Sequence, residues 1–376
     1  MTRTVIFRAD ASVQIGTGHV MRCLTLADAL REQGHACHFI CRGHPGNLIE
    51  AIRQREFPVH TLPVAEEGGG AEDGNSEIAA AEPAHARWLG ASWEVDARQS
   101  RAIIRELDPA WLVVDHYALD ARWEAAARSE GMQLLVIDDL ADRSHEADLL
   151  LDQNLGRESS DYSSLVPESC RRLIGPRYAL LRPEFARLRE DSLRRRHSSR
   201  LKRVLVTMGG VDKDNATGKV LDALRECPLG DEVEIEVVMG SNAPWLEAVR
   251  AQAAGMPWPT GVRVDVRDMA KRMVDADLAI GAAGSTSWER CCLGLPAMMV
   301  VLAENQKSIA EALAKVGACV YLGDVKNVDQ FPDYWGRLSE SRAREAMSKA
   351  SAAVTDGQGV ARLCQQMGNK PNAREL

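Results

Sequence analysis

The hydrophobic positions along this chain change repeatedly between two spacings. Short apolar runs, such as Val5 to Phe7 and Trp111 to Val114, have the composition of buried strands. Between such runs, apolar residues recur at the spacing of one face of a helix. Val20 to Gln33 is a stretch of this kind, and Gly34 is a suitable residue to end the helix. The pattern therefore predicts a chain in which strands and helices alternate.

The first half of the chain follows this alternation closely. Strands are predicted at Val5 to Phe7, Ala36 to Arg42, Trp111 to Val114, Leu134 to Ile137 and Leu149 to Leu151, and helices at Val20 to Gln33, Leu48 to Glu56 and Val95 to Leu107. Residues 65–82 are rich in Gly, Glu and Ala, and this composition predicts a mobile surface insertion.

The alternation restarts after a charged connection from Pro176 to Leu201, which contains a helical stretch from Glu184 to Arg196. Strands are predicted at Arg203 to Met208, Val233 to Met239, Val262 to Val266, Leu278 to Ile280 and Met298 to Leu302, and helices at Ala216 to Arg225, Trp245 to Ala254, Met269 to Asp275, Thr286 to Leu293 and Ser308 to Val316. We therefore expect an α/β protein of two doubly wound, Rossmann-like domains facing a cleft. The expected boundaries are 1–180 and 200–336, followed by a helical tail at 337–376 whose last part packs back on the first domain.

Composition and charge limit the possible functions. Hydrophobic residues make up 45% of the chain, and no apolar run approaches the ~20 residues of a membrane helix, so we expect no membrane partner. Nine cysteines without a paired framework, and a first strand without a preceding signal peptide, predict a cytoplasmic protein. A net charge of −8 without a basic stripe argues against a nucleic-acid partner. The sequence does not determine the oligomeric state, and a monomer is the expectation.

The candidate chemistry lies in glycine-rich turns, each between a predicted strand and a predicted helix. They are Gly16-Thr17-Gly18, Met208-Gly209-Gly210 and the stretch that begins at Gly281. Free N–H groups and the positive end of the helix dipole at such turns favour an anion, and ligands of open α/β sheets bind at the carboxyl ends of strands. For the first turn, a dinucleotide fingerprint is the alternative, but that motif needs a third glycine where this chain has Met21.

His19 is the unusual residue of the first turn. An imidazole beside a phosphate-binding turn can take a proton from water or stabilise a leaving group. Tyr117, after the strand that ends at Val114, could orient this imidazole and favour its neutral form, but a buried tyrosine with a satisfied hydroxyl is an equal alternative. Asp138 and Asp139 could hold a divalent metal, although we favour substrate positioning or loop capping. Only one of them can face the site, because neighbouring strand residues point opposite ways.

Two further groups of residues each allow two interpretations. Thr286 and Glu289 match a capping box; alternatively, Glu289 accepts hydrogen bonds from a ribose diol while Ser285 and Thr286 hold a phosphate. The stretch from His35 to His44 contains the residue types of a zinc site. On a strand, however, its cysteines and its histidines lie on opposite faces, so we predict core cysteines and no metal.

Eight blocks of this sequence share their order with one known family. They are Arg8-Ala9-Asp10-Ala11-Ser12, Ile15 to Arg22, Asp115-His116-Tyr117, Asp138-Asp139, Asp152-Gln153-Asn154, Tyr178 to Arg182, Met208-Gly209-Gly210 and Ala303 to Gln306. In these blocks the chain resembles the UDP-sugar hydrolases of pseudaminic acid biosynthesis. The resemblance runs from Arg3 to near Gly317, departs at the Gly/Glu-rich insertion and fades in the tail.

The resemblance implies a fold and an activity. The fold is GT-B, with a second half similar to the N-acetylglucosaminyl transferase of peptidoglycan synthesis. The activity is release of UDP from UDP-2,4-diacetamido-2,4,6-trideoxy-β-L-altropyranose, with inversion at the anomeric carbon and without metal or cofactor. His19 falls on the catalytic histidine and Tyr117 on its supporting tyrosine. The implied substrate-binding residues are Asp10, Gly18, Arg22, Gly209, Gly210, Ser285, Thr286, Glu289, Asn305 and Gln306.

Two other functions are compatible with the same fold. A glycosyltransferase with a UDP-sugar donor differs from a hydrolase in needing an acceptor before UDP is released. A binding module without turnover would hold the nucleotide sugar and release no UDP under any condition.

Overall fold

The structure is a computed structural model that describes residues 3–64, 82–197 and 200–368. The predicted insertion therefore lies, apart from Glu82, outside the described residues. The chain divides into two compact units. Unit 1 comprises Met1–Gln153, Arg157–Leu180 and Val360–Leu376, and unit 2 comprises Asn154–Gly156 and Leu181–Gly359.

Unit 1 is built on a seven-stranded parallel sheet with the order β3-β2-β1-β4-β5-β6-β7. Its strands are β1 (Thr4–Ala9), β2 (Ala36–Arg42), β3 (Val59–Leu62), β4 (Trp111–Asp115), β5 (Gln133–Ile137), β6 (Leu149–Asp152) and β7 (Arg171–Ile174). Its helices in this part of the chain are α1 (Gly18–Glu32), α2 (Ile49–Arg53), α3 (Trp93–Leu107) and α4 (Ala121–Ala127).

Unit 2 is built on a six-stranded parallel sheet with the order β10-β9-β8-β11-β12-β13. Its strands are β8 (Arg203–Thr207), β9 (Glu234–Met239), β10 (Thr260–Val264), β11 (Leu278–Ala282), β12 (Ala297–Val301) and β13 (Val320–Asp324). Its helices are α5 (Pro183–Arg195), α6 (Ala216–Arg225), α7 (Leu246–Ala254), α8 (Met269–Asp275), α9 (Thr286–Cys292), α10 (Lys307–Lys315), α11 (Phe331–Ser339) and α12 (Ser341–Ala352).

The core of unit 1 lies on both faces of its sheet. Phe7 points into one layer and its neighbour Ile6 into the other, and both side chains are fully buried. A strand that is covered on both faces needs apolar side chains on both, which explains the continuous apolar runs in the sequence. The last helix, α13 (Gly359–Gly368), packs Leu363 and Met367 against the Phe7 layer, and Gln366 accepts a hydrogen bond from Arg171.

The short strands β3, β7 and β13 and the helix α4 were not predicted from the apolar pattern. All three strands are outermost in their sheets and have at least one partly exposed position, so they lack the long apolar runs of the central strands. The predicted helical tail is also interrupted, since residues 353–358 separate α12 from α13.

The strand order locates one crevice in each unit. The chain winds in opposite directions from β1 and β4 in unit 1, and from β8 and β11 in unit 2. Ligands of doubly wound sheets bind beyond the carboxyl ends of such strand pairs. The glycine-rich turns singled out in the sequence follow β1, β8 and β11, three of these four strands. Across the described ranges, no helix combines the length and apolar character needed to cross a membrane.

Candidate functional site

The central pair in unit 1 is His19 and Asp115. His19 is the second residue of α1, and Asp115 is the last residue of β4, so the switch point of the sheet brings them together. The imidazole Nδ1 lies 2.6 Å from Oδ1 of Asp115. Asp115 is fully buried, and His19 has 7% of its surface exposed. The pair therefore lies at the carboxyl edge of the sheet with limited access to solvent.

Arg22, one helical turn after His19, holds this carboxylate from its other side. Its Nε donates to Oδ2 of Asp115 at 2.6 Å, and its Nη2 donates to Oδ1 at 2.6 Å. The remaining Nη1 pairs with Asp139 at 2.7 Å, and Asp139 also accepts a hydrogen bond from the Tyr117 hydroxyl at 2.8 Å. Arg22 thus connects two carboxylates and fixes both relative to α1.

The charges around Asp115 determine its protonation state. Burial alone raises the pKa of Asp115, but the positive charge of Arg22 and then the interaction with His19 outweigh it and hold that pKa far below its ordinary value. Asp115 is therefore ionised, and its short contact requires a proton on Nδ1 of His19. This contact leaves Nε2 as the ring nitrogen that can carry the lone pair, and among the described residues no hydrogen bond engages it.

Tyr117 is a buried tyrosine with a satisfied hydroxyl, one of the two alternatives that the sequence left open, and its ring lies beside His19. The two rings meet edge to face with centroids 4.5 Å apart, while the Tyr117 hydroxyl donates to Asp139. Burial, followed by the negative charge of Asp139, raises the pKa of Tyr117, so the phenol remains a donor. The hydrogen bond that holds the imidazole is the one that Nδ1 donates to Asp115, a residue for which the sequence analysis gave no role.

The two neighbouring aspartates after β5 face different ways, as the strand geometry predicted. Asp139 faces the His19 group through Arg22 and Tyr117. Asp138 accepts hydrogen bonds from the Ala141 backbone N–H at 2.8 Å and from the Tyr162 hydroxyl at 2.9 Å. Asp138 therefore stabilises the loop that follows β5 by accepting these hydrogen bonds.

Asp10 lies beneath the surface of this site. Its side chain is fully buried, and Oδ1 accepts hydrogen bonds from Arg8 and from the Arg42 backbone N–H, both at 2.7 Å. Oδ2 lies 3.3 Å from Nε2 of His116. In this arrangement Asp10 supports the loop after β1. No side chain of the described residues caps the first turn of α1, so the N–H groups of its first three residues, Gly18 to Val20, are available to a ligand, while that of Met21 donates to the Thr17 carbonyl.

In unit 2, the turn after β8 is shaped by its glycines. Gly209 has a φ of 88°, in the left-handed region that favours glycine, and a Cβ at Gly209 or Gly210 would meet no neighbouring atom within 4 Å. Gly240 packs against this turn and donates to the Gly210 carbonyl at 3.1 Å. Asp212 accepts from two N–H groups at the start of α6. The space beside Gly209 and Gly210 is therefore open, while hydrogen bonds hold the rest of the turn.

The turn after β11 is held from inside by Arg290. This buried guanidinium donates to the Ala282 carbonyl at 2.6 Å and to the Ser287 hydroxyl at 3.1 Å. Ser285 is exposed, Thr286 is partly exposed, and Ser285 occupies the N-cap without a side-chain cap. The capping box, one of the two interpretations of Thr286 and Glu289, is not formed, because the helix begins at Thr286, one residue too early for Thr286 to be its N-cap.

Glu289 instead pairs with Arg182, whose Nη2 lies 3.5 Å from the Glu289 carboxylate. Burial raises the pKa of Glu289, although Arg182 and Arg290 act in the opposite direction. Gln306 reaches the same turn, with Nε2 3.7 Å from the position of a Cβ at Gly284, and its Oε1 accepts from Leu302 at 3.0 Å.

Asn305 is also a predicted site residue of unit 2. It lies exposed beside Gln306 in the short turn that precedes α10. Of the predicted residues, Arg22 and Tyr117 therefore lie beside His19 in unit 1, and Gln306 lies beside the turn at Gly284 in unit 2.

Two residues of these groups were missed as functional from the sequence alone. Asp115 follows a buried strand directly, and an acidic residue at the end of such a strand is a signal that could have singled it out. Arg290 lies four residues after Thr286, where its side chain can return to the turn before the helix. Within the described parts of the chain, no group of three or more His, Cys, Asp or Glu side chains is placed to hold a metal ion.

Comparison with known proteins relates this arrangement to nucleotide-sugar enzymes. Residues 203–365 match the glycosyltransferase family 28 C-terminal domain. The chain is 27% identical to the UDP-2,4-diacetamido-2,4,6-trideoxy-beta-L-altropyranose hydrolase of Campylobacter jejuni, over 83% of this chain and 97% of that protein. It is 32% identical to the spore coat polysaccharide biosynthesis protein SpsG of Bacillus subtilis, over 50% of this chain and 56% of that protein.

Among solved structures, MurG of Acinetobacter baumannii superposes with a TM-score of 0.67 at 17% identity, covering 97% of this chain and 99% of that one. The fold is therefore GT-B, as predicted, with two Rossmann-like parallel-sheet units.

Proposed function

We propose that this chain is a UDP-sugar hydrolase that releases UDP by attack of water on the anomeric carbon, with inversion. The substrate we propose is UDP-2,4-diacetamido-2,4,6-trideoxy-β-L-altropyranose, the substrate of the pseudaminic acid pathway. The 27% identity to the Campylobacter jejuni hydrolase, over nearly the whole length of that protein, supports this choice of substrate. The observation that carries the chemistry is the 2.6 Å contact between His19 and Asp115.

In the proposed reaction, Nε2 of His19 takes a proton from water as the water oxygen forms its bond to the anomeric carbon. The bond between that carbon and the pyrophosphate oxygen breaks, and its electron pair leaves with UDP. The imidazolium that results is stabilised by the ionised Asp115 beside it. One displacement inverts the anomeric centre. The proton then passes from His19 to solvent.

Negative charge grows on the leaving pyrophosphate during this step. The uncapped first turn of α1 offers N–H groups for that charge, which supports a reaction that needs neither metal nor cofactor. We assign Glu289 to the ribose and Ser285 with Thr286 to the phosphates. Asn305 and Gln306 complete the contacts in unit 2, and Gly18 provides a backbone contact in unit 1.

Asp10, Arg22 and Tyr117 receive supporting roles in this proposal. The resemblance implied that Asp10 and Arg22 bind substrate, but they have only 0% and 7% of their surface exposed, so we assign them instead to positioning the loop after β1 and the Asp115 carboxylate. Tyr117 supports the imidazole by its edge-to-face contact.

A glycosyltransferase is the second candidate. The match of residues 203–365 to a glycosyltransferase domain favours it, and the same histidine could deprotonate an acceptor hydroxyl in place of water. The deciding experiment incubates the purified chain with UDP-diacetamido sugars and no acceptor, and follows UDP and the sugar anomers by NMR. The hydrolase predicts stoichiometric UDP and free sugar. A transferase predicts UDP only after an acceptor is added.

His19→Asn is the control for that experiment. General base catalysis contributes roughly 10²–10⁴-fold, so UDP release should fall at least that far while UDP still binds. Near-normal turnover by a folded His19→Asn protein would contradict the assignment of the base.

A further inference from the structure

Next to His19 lies a group of aromatic rings that the proposed reaction has not used. His85 and Trp88 come from the short segment before α3, and both are partly exposed. The ring centroids of His85 and Trp88 are 4.3 Å apart, and those of Trp88 and Tyr117 are 6.0 Å apart with planes inclined by 29°. His85 also lies 5.5 Å from Tyr117, whose ring in turn contacts His19. The rings form a continuous surface that begins at the proposed base.

We propose that His85 and Trp88 form the wall of a sugar subsite that packs against the apolar face of a 6-deoxyhexose. This inference rests on the proposed function, since it places the sugar of the nucleotide sugar beside His19. A sugar whose C6 is a methyl group and whose nitrogens carry acetyl groups exposes much apolar surface. Burial of that surface against aromatic rings is favourable.

The segment that carries these rings is firmly anchored. Leu89, the next residue after Trp88, has only 2% of its surface exposed and belongs to the core of unit 1. Gly90 follows with a φ of 68°, and a Cβ there would lie 2.6 Å from Cε1 of His44. The backbone therefore turns sharply and packs closely after Trp88, so the segment that carries the rings is held in place without a ligand.

The polar atoms of the wall also suit this ligand. Among the described residues, none accepts a hydrogen bond from the indole N–H of Trp88, so this donor is open to an acetamido carbonyl. Burial lowers the pKa of His85; Asp142 opposes this, and Arg143 and His19 lower the pKa further. At neutral pH the wall is therefore uncharged, as contact with a methyl group requires.

The experiment measures how much the sugar contributes to binding. In a His19→Asn background, which prevents turnover, calorimetry gives the Kd for UDP and for the UDP-diacetamido-trideoxy sugar, before and after Trp88→Ala. We expect the affinity for the nucleotide sugar to fall about ten-fold and the affinity for UDP alone to stay unchanged. Trp88→Phe should restore most of the loss, because it keeps an aromatic face.

Trp93→Ala is the matched control, since Trp93 is a partly exposed tryptophan of the same unit whose ring contacts Arg122 and not the His19 group. If Trp88→Ala lowers the affinity for UDP as much as that for the nucleotide sugar, or lowers neither affinity, the proposed sugar subsite is contradicted. UDP release by the wild-type chain is measured separately. If Trp88→Ala lowers the affinity for the nucleotide sugar but the wild-type chain releases no UDP, the sugar subsite stands and the proposed hydrolase activity is contradicted. If the wild-type chain releases UDP but Trp88→Ala leaves that affinity unchanged, the hydrolase stands and the sugar subsite is contradicted.

Discussion

The imidazole Nδ1 of His19 lies 2.6 Å from Oδ1 of Asp115, a contact between the start of the first helix and the end of a central strand. Arg22 binds the same carboxylate through two nitrogens. The carboxylate is therefore ionised and fixed, and the proton on Nδ1 leaves Nε2 as the basic nitrogen. In the proposed reaction, this is the nitrogen that takes the proton from water.

Replacement of Asp115 by Asn should impair the reaction through the tautomer of His19. An amide can donate to Nδ1, which places the histidine proton on Nε2 and removes the base. We expect UDP release to fall by about 10²–10⁴-fold, with little change in the affinity for UDP. Steady-state kinetics and calorimetry measure the two quantities.

Asp139→Asn is the matched control for that change. It weakens the contacts with Arg22 and Tyr117 but leaves the bond between His19 and Asp115 in place, so it should cost much less activity. Equal losses in both variants would show that Asp115 acts only by supporting the packing.

The stability of unit 1 should fall in acid. Burial raises the pKa of Asp138, but Arg143 and His145 outweigh it and lower that pKa to about 2. Because the folded pKa lies below the unfolded one, the ion pair stabilises the fold fully above about pH 4, and this stabilisation is lost as the pH falls towards 2. Asp115 and Asp96, whose pKa values are also lowered, contribute in the same direction.

Urea midpoints measured from about pH 6 to about pH 3 test this prediction. They should decrease with falling pH in the wild type and decrease less steeply in Asp138→Asn, which has one titrating carboxylate fewer. If the midpoints of the two proteins fall equally steeply with pH, protonation of Asp138 does not contribute to the loss of stability.

Glu289→Ala should lower the affinity for UDP and should not destabilise α9. The capping box is absent, so the carboxylate is not needed to begin the helix. Loss of a charge-assisted hydrogen bond costs about 1.5–3 kcal/mol, which is roughly ten- to hundred-fold in affinity. Calorimetry with UDP and a thermal melt measure both effects, and a lower Tm with unchanged UDP affinity would assign Glu289 to structure instead.

Chelation should leave the reaction unchanged. Backbone N–H groups at the glycine turns are proposed to take the charge of the pyrophosphate, so UDP release should continue at the same rate in excess EDTA. A loss of activity that Mg²⁺ or Mn²⁺ restores would replace this proposal with a metal-dependent one.

Much of the fold follows from the hydrophobic pattern, and the exceptions have a common cause. Central strands such as β4 are buried on both faces, and this leaves a continuous apolar run that is visible in the sequence. Outer strands such as β3 are short and half exposed, so they carry no such run. Their position depends on pairing with a neighbour, which is a tertiary contact.

The site was predictable in part for a related reason. His19 and the glycine turns are local signals, since a strand, a turn and a helix follow each other directly in the chain. The partnership of His19 with Asp115 joins residues 96 positions apart, and Glu289 pairs with Arg182 across more than a hundred. Such pairs depend on the order of strands in the sheet, so the sequence left the role of Tyr117 open between two alternatives and did not identify Asp115 as the partner of His19.

Hydrolysis in ¹⁸O-labelled water tests the central claim most directly. If His19 activates water for attack on the anomeric carbon, the label must enter the free sugar, which should first appear as the inverted anomer, and UDP must stay unlabelled. Mass spectrometry of both products, with NMR in the first minutes, gives the answer. Label in UDP, or release of UMP and a sugar phosphate, would contradict the account.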